Sequence, residues 1–123
     1  MTIAYWCVLV IILFPYVFTV LAKFSRSFNN YDPRGYLEKL TGWRKRAHYV
    51  QLNSFEMMAP FGVSVVIAHL VHAAQHTIDS LSITFVLSRV MYALCYLLNF
   101  AALRTIFWVF GLVCIIGFYV IAS

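Results

Sequence analysis

The sequence predicts an all-α integral membrane protein in which four transmembrane helices form one bundle. Of the 123 residues, 63% are apolar and only 11% charged, whereas soluble domains run nearer half apolar and about a quarter charged. The mean hydropathy is +0.86. Basic charge is also confined: seven of the nine Lys and Arg residues lie between Lys23 and Arg46. A nucleic-acid surface would spread such charge over a soluble face. Concentrated in one loop of a greasy chain it is an orientation signal for membrane insertion, so no nucleic-acid partner is expected.

The first span, residues 2–22, holds no charged residue and at about 1.5 Å per residue reaches across the roughly 30 Å hydrocarbon layer. It reads as a membrane helix rather than a cleavable signal, because no basic residue precedes it and it exceeds the usual apolar core of about 7 to 15 residues. Tyr5 and Trp6 suit an interfacial aromatic belt, and Pro15 is a candidate kink. Residues 23–46 form the basic loop. Its Asn29-Asn30, Asp32-Pro33, Gly35 and Gly42 are turn formers, with room for a short helix around Tyr36 to Leu40.

The second span covers about 50–74, possible from Arg46 onward, and a polar connection from Gln75 to Ser80 leads to a third over about 81–98. A tight turn at Asn99 to Arg104 then opens the fourth, 103–122, whose Gly111 and Gly117 permit close helix contact. The connection at Gln75–Ser80 carries no Lys or Arg. The basic loop therefore belongs on the cytoplasmic side and both termini on the opposite one. No internal repeat and no second domain is evident, so the chain reads as a single transmembrane domain. Cys7, Cys95 and Cys114 are odd in number, lie in apolar runs and lack metal or redox spacing. They read as buried thiols.

The informative residues are polar ones inside apolar helices, since a charge at mid-bilayer costs at least about 2.5 to 3.5 kcal/mol. On the second span Arg46, Tyr49, Asn53, Glu56 and Pro60 recur at steps of three and four, which puts them on one helical stripe. Arg89, Tyr92, Tyr96 and Asn99 repeat that spacing on the third. The two stripes meet in one leaflet. Glu56 lies ~15 Å below Arg46 along its helix, at a depth where it can pair with Arg89, and Arg104 opens the fourth span at the same end. A purely structural reading makes Glu56 and Arg89 an ion pair with the tyrosines as interhelical glue. The functional reading makes Arg46, Asn53, Glu56, Tyr92, Tyr96 and Arg104 line a cleft for a small zwitterion with several carboxylates, the arginines meeting carboxylates and Glu56 an ammonium.

The run Arg46-Ala-His-Tyr-Val-Gln-Leu-Asn53-Ser-Phe-Glu56-Met-Met-Ala-Pro60-Phe, followed by Arg89-Val-Met-Tyr92-Ala-Leu-Cys-Tyr96 and Leu103-Arg104-Thr-Ile-Phe-Trp108-Val-Phe-Gly111, resembles the MAPEG family, the membrane-associated proteins in eicosanoid and glutathione metabolism. Bacterial members resemble the chain most. The resemblance implies a four-helix bundle assembled as a homotrimer, with glutathione as co-substrate bound between subunits near the cytoplasmic face. By residue it makes Asn53 and Glu56 glutathione contacts, Glu56 near the γ-glutamyl amino group, and adds Arg89, Tyr92 and Tyr96 from the third span. Arg104 matches an arginine that stabilises the thiolate in some members. Tyr49 stands where some members carry an arginine, and Arg46 lies one turn earlier.

The activity so implied is a transferase or peroxidase that joins glutathione to lipophilic electrophiles arriving through membrane lipid, with a bacterial inner membrane as the setting. The alternative is a non-catalytic structural or regulatory subunit, or a small transporter, whose Glu56 and Arg89 serve packing or proton movement. His69, His72 and His76 share another stripe with Asp79 close behind, but without a Cys partner they read as interfacial histidines rather than a metal site. Asp79 reads as a cap for the third helix.

Overall fold

The computed structural model describes all residues, 1–123, and is entirely helical: α1 (Ile3–Lys23), α2 (Pro33–Glu38), α3 (Gly42–Leu70), α4 (Gln75–Leu97) and α5 (Ala101–Ala122). Four of these, α1, α3, α4 and α5, are long and apolar enough to cross a membrane. α3 and α4 are the inner pair. α1 packs on both of them, and α5 packs on both from another side. The surface of the bundle is apolar, with Leu13, Val20, Val63, Leu87, Ile106 and Ile116 among its many exposed large side chains. Only a lipid environment accepts so continuous an apolar exterior, so the chain is an integral multi-pass membrane protein.

The helices start and stop for local reasons. Thr2 caps α1, its hydroxyl accepting from the Tyr5 N–H at 3.3 Å. Pro15 in α1 and Pro60 in α3 each withdraw a backbone donor. One turn on, Thr19 and Ser64 donate to the Pro15 and Pro60 carbonyls at 3.1 and 2.6 Å. Asp32 caps the short α2, accepting from the Gly35 N–H at 3.1 Å, with Pro33 in its first turn. Both remaining interhelical turns use one device. His72 and Asn99 adopt left-handed backbone, φ 57° and 63°, and the next residues, Ala73 and Phe100, donate back to the Ala68 and Cys95 carbonyls at 3.0 and 2.8 Å. That is a Schellman closure in which His and Asn occupy a position usually given to glycine.

The boundaries of the inner helices differ from the sequence expectation. α3 begins at Gly42 and ends at Leu70, and α4 begins at Gln75, so the polar run Gln75–Ser80 is the opening of a helix rather than a connection. Only residues 71–74 turn the chain. Likewise α5 begins at Ala101, which puts Arg104 inside the helix, and α2 covers Pro33–Glu38 rather than Tyr36–Leu40. Gln75 and Thr84 show how polar side chains fit a helix, Gln75 donating to Asp79 and Thr84 to the Ser80 carbonyl at 2.9 and 2.7 Å, so polarity alone did not mark the loop.

The core has an aromatic centre. Phe61 of α3 stacks on Phe85 of α4 with ring centroids 4.2 Å apart, and Phe118 of α5 meets it edge-on at 5.9 Å. Ala4, Ile11, Met57, Val65, Ile78 and Cys114 complete that cluster. Toward the basic loop a second cluster joins Phe18, Val50, Tyr92 and Ala93. Ala22, Leu37 and Ala47 then dock α2 against the ends of α1 and α3. Gly111 comes within 3.4 Å of the Ser88 hydroxyl at its missing Cβ position, so a small residue is needed where α5 crosses α4. Cys7, Cys95 and Cys114 are free thiols.

Candidate functional site

Toward the basic-loop end of the inner helices, polar side chains of α3, α4 and α5 converge. Arg89 of α4 is only 1% exposed, and its Nη2 donates to the Asn53 Oδ1 on α3. The Asn53 amide in turn donates to the Glu56 Oε2 at 3.2 Å. The expected direct pairing of Glu56 with Arg89 is therefore a relay through Asn53. The amide lies on the same α3 stripe, one turn nearer the loop, and offers the acceptor that a guanidinium needs and the donor that a carboxylate needs.

The relay is incomplete. The Arg89 Nη1 is buried without any hydrogen-bond partner, an arrangement that a closed structural network avoids. Glu56 is exposed on the outer surface of α3 although it stands at mid-helix. A carboxylate at that depth is not stable against lipid tails, so its surroundings in the membrane are polar ones.

Next to the relay, four aromatic and cationic groups are stacked. The Arg89 guanidinium lies 4.2 Å from the centroid of Tyr92. Tyr92 meets Tyr96 edge-on at 5.7 Å, and the Arg104 guanidinium lies 4.4 Å from the centroid of Tyr96. Each cation is held by a ring face, which fixes its position without neutralising its charge. Tyr92, Tyr96, Arg104, Thr105 and Trp108 enclose a cavity of 220 Å³ between α4 and α5. Thr105 and Trp108 were not singled out from the sequence. For Trp108 the signal was the step from Arg104, four residues along one helix face; Thr105, next to Arg104, left none.

The structure does not gather every expected site residue into that cavity. Arg46 donates from Nε to the Leu97 carbonyl at 3.1 Å, so it closes the C-terminal end of α4, a favourable place for a cation. Asn53 and Glu56 reach the site through Arg89 and open to the other side of α3. Tyr49 links the two parts, 6.2 Å from Tyr96, and borders a separate 570 Å³ cavity with Lys45, His48, Gln51 and α2 residues.

At the opposite end, Asp79 and His69 do structural work. Asp79 accepts from the Ala4 N–H and from the Gln75 amide, each at 2.9 Å. It therefore satisfies the start of α1, not that of α4 as expected. His69 stacks on Tyr5 at 4.3 Å. Its Nδ1 donates to the Val65 carbonyl at 2.8 Å, and its Nε2 meets the Thr2 hydroxyl at 3.2 Å.

Fold and site together define a multi-pass membrane protein with a cation-lined polar junction near one end of its helices. The MAPEG family model matches residues 3–123, and the chain belongs to that family. Membership points to membrane-bound, glutathione-linked chemistry of the transferase and peroxidase kind. Comparison with curated proteins and with solved structures gives no match.

Proposed function

We propose that the protein is a glutathione-dependent transferase or peroxidase for lipophilic electrophiles. It works as a homotrimer in which a neighbouring subunit covers the outward face of Glu56. The single observation that carries this reading is the open valence of the junction. One buried guanidinium group lacks a partner at Nη1, three more cationic and phenolic groups, Arg104, Tyr92 and Tyr96, line a cavity beside it, and a mid-membrane carboxylate faces outward. Glutathione supplies the complement: carboxylates for Arg89 and Arg46, an ammonium for Glu56, and a thiol for Arg104. Asn53, Tyr92 and Tyr96 serve its amides, and Arg46 sits close enough along the stripe to add charge at the cytoplasmic mouth.

The chemistry follows from Arg104. A fixed positive charge lowers the pKa of a thiol held beside it and raises the fraction of nucleophilic thiolate. The thiolate sulfur then forms a bond to an electrophilic carbon as the bond to halide or epoxide oxygen breaks. With a hydroperoxide it takes the terminal oxygen as glutathione sulfenic acid while the O–O bond breaks and the alkoxide leaves with a proton, and a second glutathione then condenses with the sulfenic acid to give the disulfide and water. Apolar substrates concentrate in the bilayer, so a site opening sideways between helices gains proximity. The basic loop supports a mouth on the cytoplasmic side with both termini outside, and the family resemblance supports a bacterial inner membrane as the setting.

Titration of the purified protein with glutathione, with and without Glu56→Gln, tests the reading. Saturable binding that weakens about tenfold or more in the variant is expected, since a charge-assisted contact is removed. Turnover of a halogenated dinitrobenzene or cumene hydroperoxide in liposomes should accompany it. Absence of glutathione binding to the unmodified chain would leave the alternative, a non-catalytic subunit or small transporter. The feature favouring that alternative is the Arg89–Asn53–Glu56 relay as a packing device.

A further inference from the structure

A second set of unsatisfied polar atoms lies outside the glutathione junction, at the membrane surface under the basic loop. Of the three buried side-chain polar atoms without a hydrogen-bond partner, two are the Tyr36 hydroxyl and the Arg44 Nε. Both belong to the wall of one cavity of 340 Å³, which Ser27, Lys39, Thr41 and Trp43 complete. Arg44 also borders an adjoining cavity of 630 Å³ with Lys23 and Arg26. Four cations thus surround a divided trough, and no carboxylate lines either part. Of the nearby acids, Asp32 caps α2, and Glu38 lines a different cavity, beside Lys45 and Tyr49.

Two further features make the trough electropositive. Thr41 precedes the 29-residue helix α3 as an N-cap that makes no side-chain cap bond, and Thr41, Trp43 and Arg44 line the cavity, so the uncapped, positive end of a long helix dipole borders it. The Arg44 guanidinium rests 5.6 Å from the Trp43 centroid and the Lys23 ammonium 5.4 Å from that of Phe28. The cations are therefore positioned on aromatic faces rather than neutralised.

Depth identifies the occupant. The trough sits where α1 ends at Lys23 and α3 begins at Gly42, the level at which two spans leave the hydrocarbon. Trp43 at its rim is 44% exposed, as an interfacial tryptophan is. A phosphate at that level belongs to the headgroups, and basic residues there attract anionic lipid. We propose that this trough binds the phosphodiester of an anionic phospholipid, with Arg44 and Tyr36 donating to its oxygens and Lys39, Lys23 and Arg26 supplying charge. The site is independent of the glutathione reading.

Native mass spectrometry of the full-length protein in dodecylmaltoside, titrated with phosphatidylglycerol, phosphatidylcholine or inorganic phosphate, tests it. Phosphatidylglycerol should bind saturably and more tightly than phosphatidylcholine. Its affinity should fall about tenfold in Arg44→Gln, where a charged donor is lost, and less in Tyr36→Phe. Arg34→Gln removes the same charge from the same loop outside the trough and should leave binding unchanged. Arg44→Lys keeps the charge without the Nε donor and should show an intermediate loss, which guards against misfolding of the glutamine variant. Equal weakening by Arg34→Gln and Arg44→Gln would reduce the effect to general loop charge and overturn the site. Competition by inorganic phosphate at matched concentration would overturn the lipid as its source.

Discussion

The two ends of the bundle both carry polar side chains, and they treat them in opposite ways. At the end away from the basic loop, Asp79, Gln75, Thr2 and His69 close on one another and on the Ala4 N–H and Val65 carbonyl. Nothing buried there is left without a partner. At the loop end all three unpartnered buried atoms are found, on Arg89, Tyr36 and Arg44. Polarity by itself therefore does not distinguish a clasp from a site. The distinction is whether the donors and acceptors are exhausted within the chain, because an unsatisfied buried donor costs about 1–3 kcal/mol unless something else fills it.

The contrast is broken or sharpened most strongly at Arg104. Replacing it with Leu should lower turnover about 100-fold, the scale of losing one positioned stabiliser of a developing anion. The thermal midpoint should barely move, since Arg104 packs on Tyr96 without closing a network. Steady-state kinetics beside a melting curve reads both. An Arg104→Leu chain that melts early with its residual activity intact would move Arg104 to the clasp category.

Asp79→Ala should do the reverse. It strips the partner from the Ala4 N–H at the start of α1 and from Gln75, so destabilisation of about 2 kcal/mol is expected, with glutathione affinity unchanged. Chemical denaturation in mixed micelles, run with and without saturating glutathione, separates the two quantities. At Arg89 the comparison is finer. Arg89→Met removes a buried cation that is only half satisfied, and such a replacement is often neutral for stability. Glutathione protection against unfolding should nonetheless fall, because ligand stabilisation tracks affinity.

The sequence carried one half of this contrast and not the other. Stripes are legible: Tyr49, Asn53 and Glu56 on α3, and Arg89, Tyr92 and Tyr96 on α4, keep a helical step through apolar runs. Polar residues at that spacing inside a membrane span must face protein, water or ligand rather than lipid. Partners that are backbone atoms leave no such trace. The Leu97 carbonyl that holds Arg46 is invisible in the residue string, and so is the Ala4 N–H that recruits Asp79 from another helix. The same blindness blurred the α3–α4 boundary, because Gln75 to Ser80 look like a loop until the start of α1 is placed beside them. Glu56 and Arg89 matched in charge and depth, but Asn53, equally visible, takes the contact on both sides.

The smallest expected effects lie in the two turns, which share one backbone design at opposite ends of the bundle. His72 and Asn99 both hold positive φ, and both turns return a hydrogen bond to the last helical turn. A left-handed conformation costs a residue bearing a Cβ about 1 kcal/mol or more, and asparagine is among those that tolerate it best. Glycine removes that cost but adds backbone freedom to the unfolded chain. His72→Gly should therefore stabilise by a few tenths of a kcal/mol up to about 1 kcal/mol, and Asn99→Gly by less or not at all. Neither should alter glutathione binding. If Asn99→Gly weakened binding while His72→Gly did not, the turn before α5 would be setting the position of Arg104, five residues further on, and rigidity at the loop end would belong to the site itself.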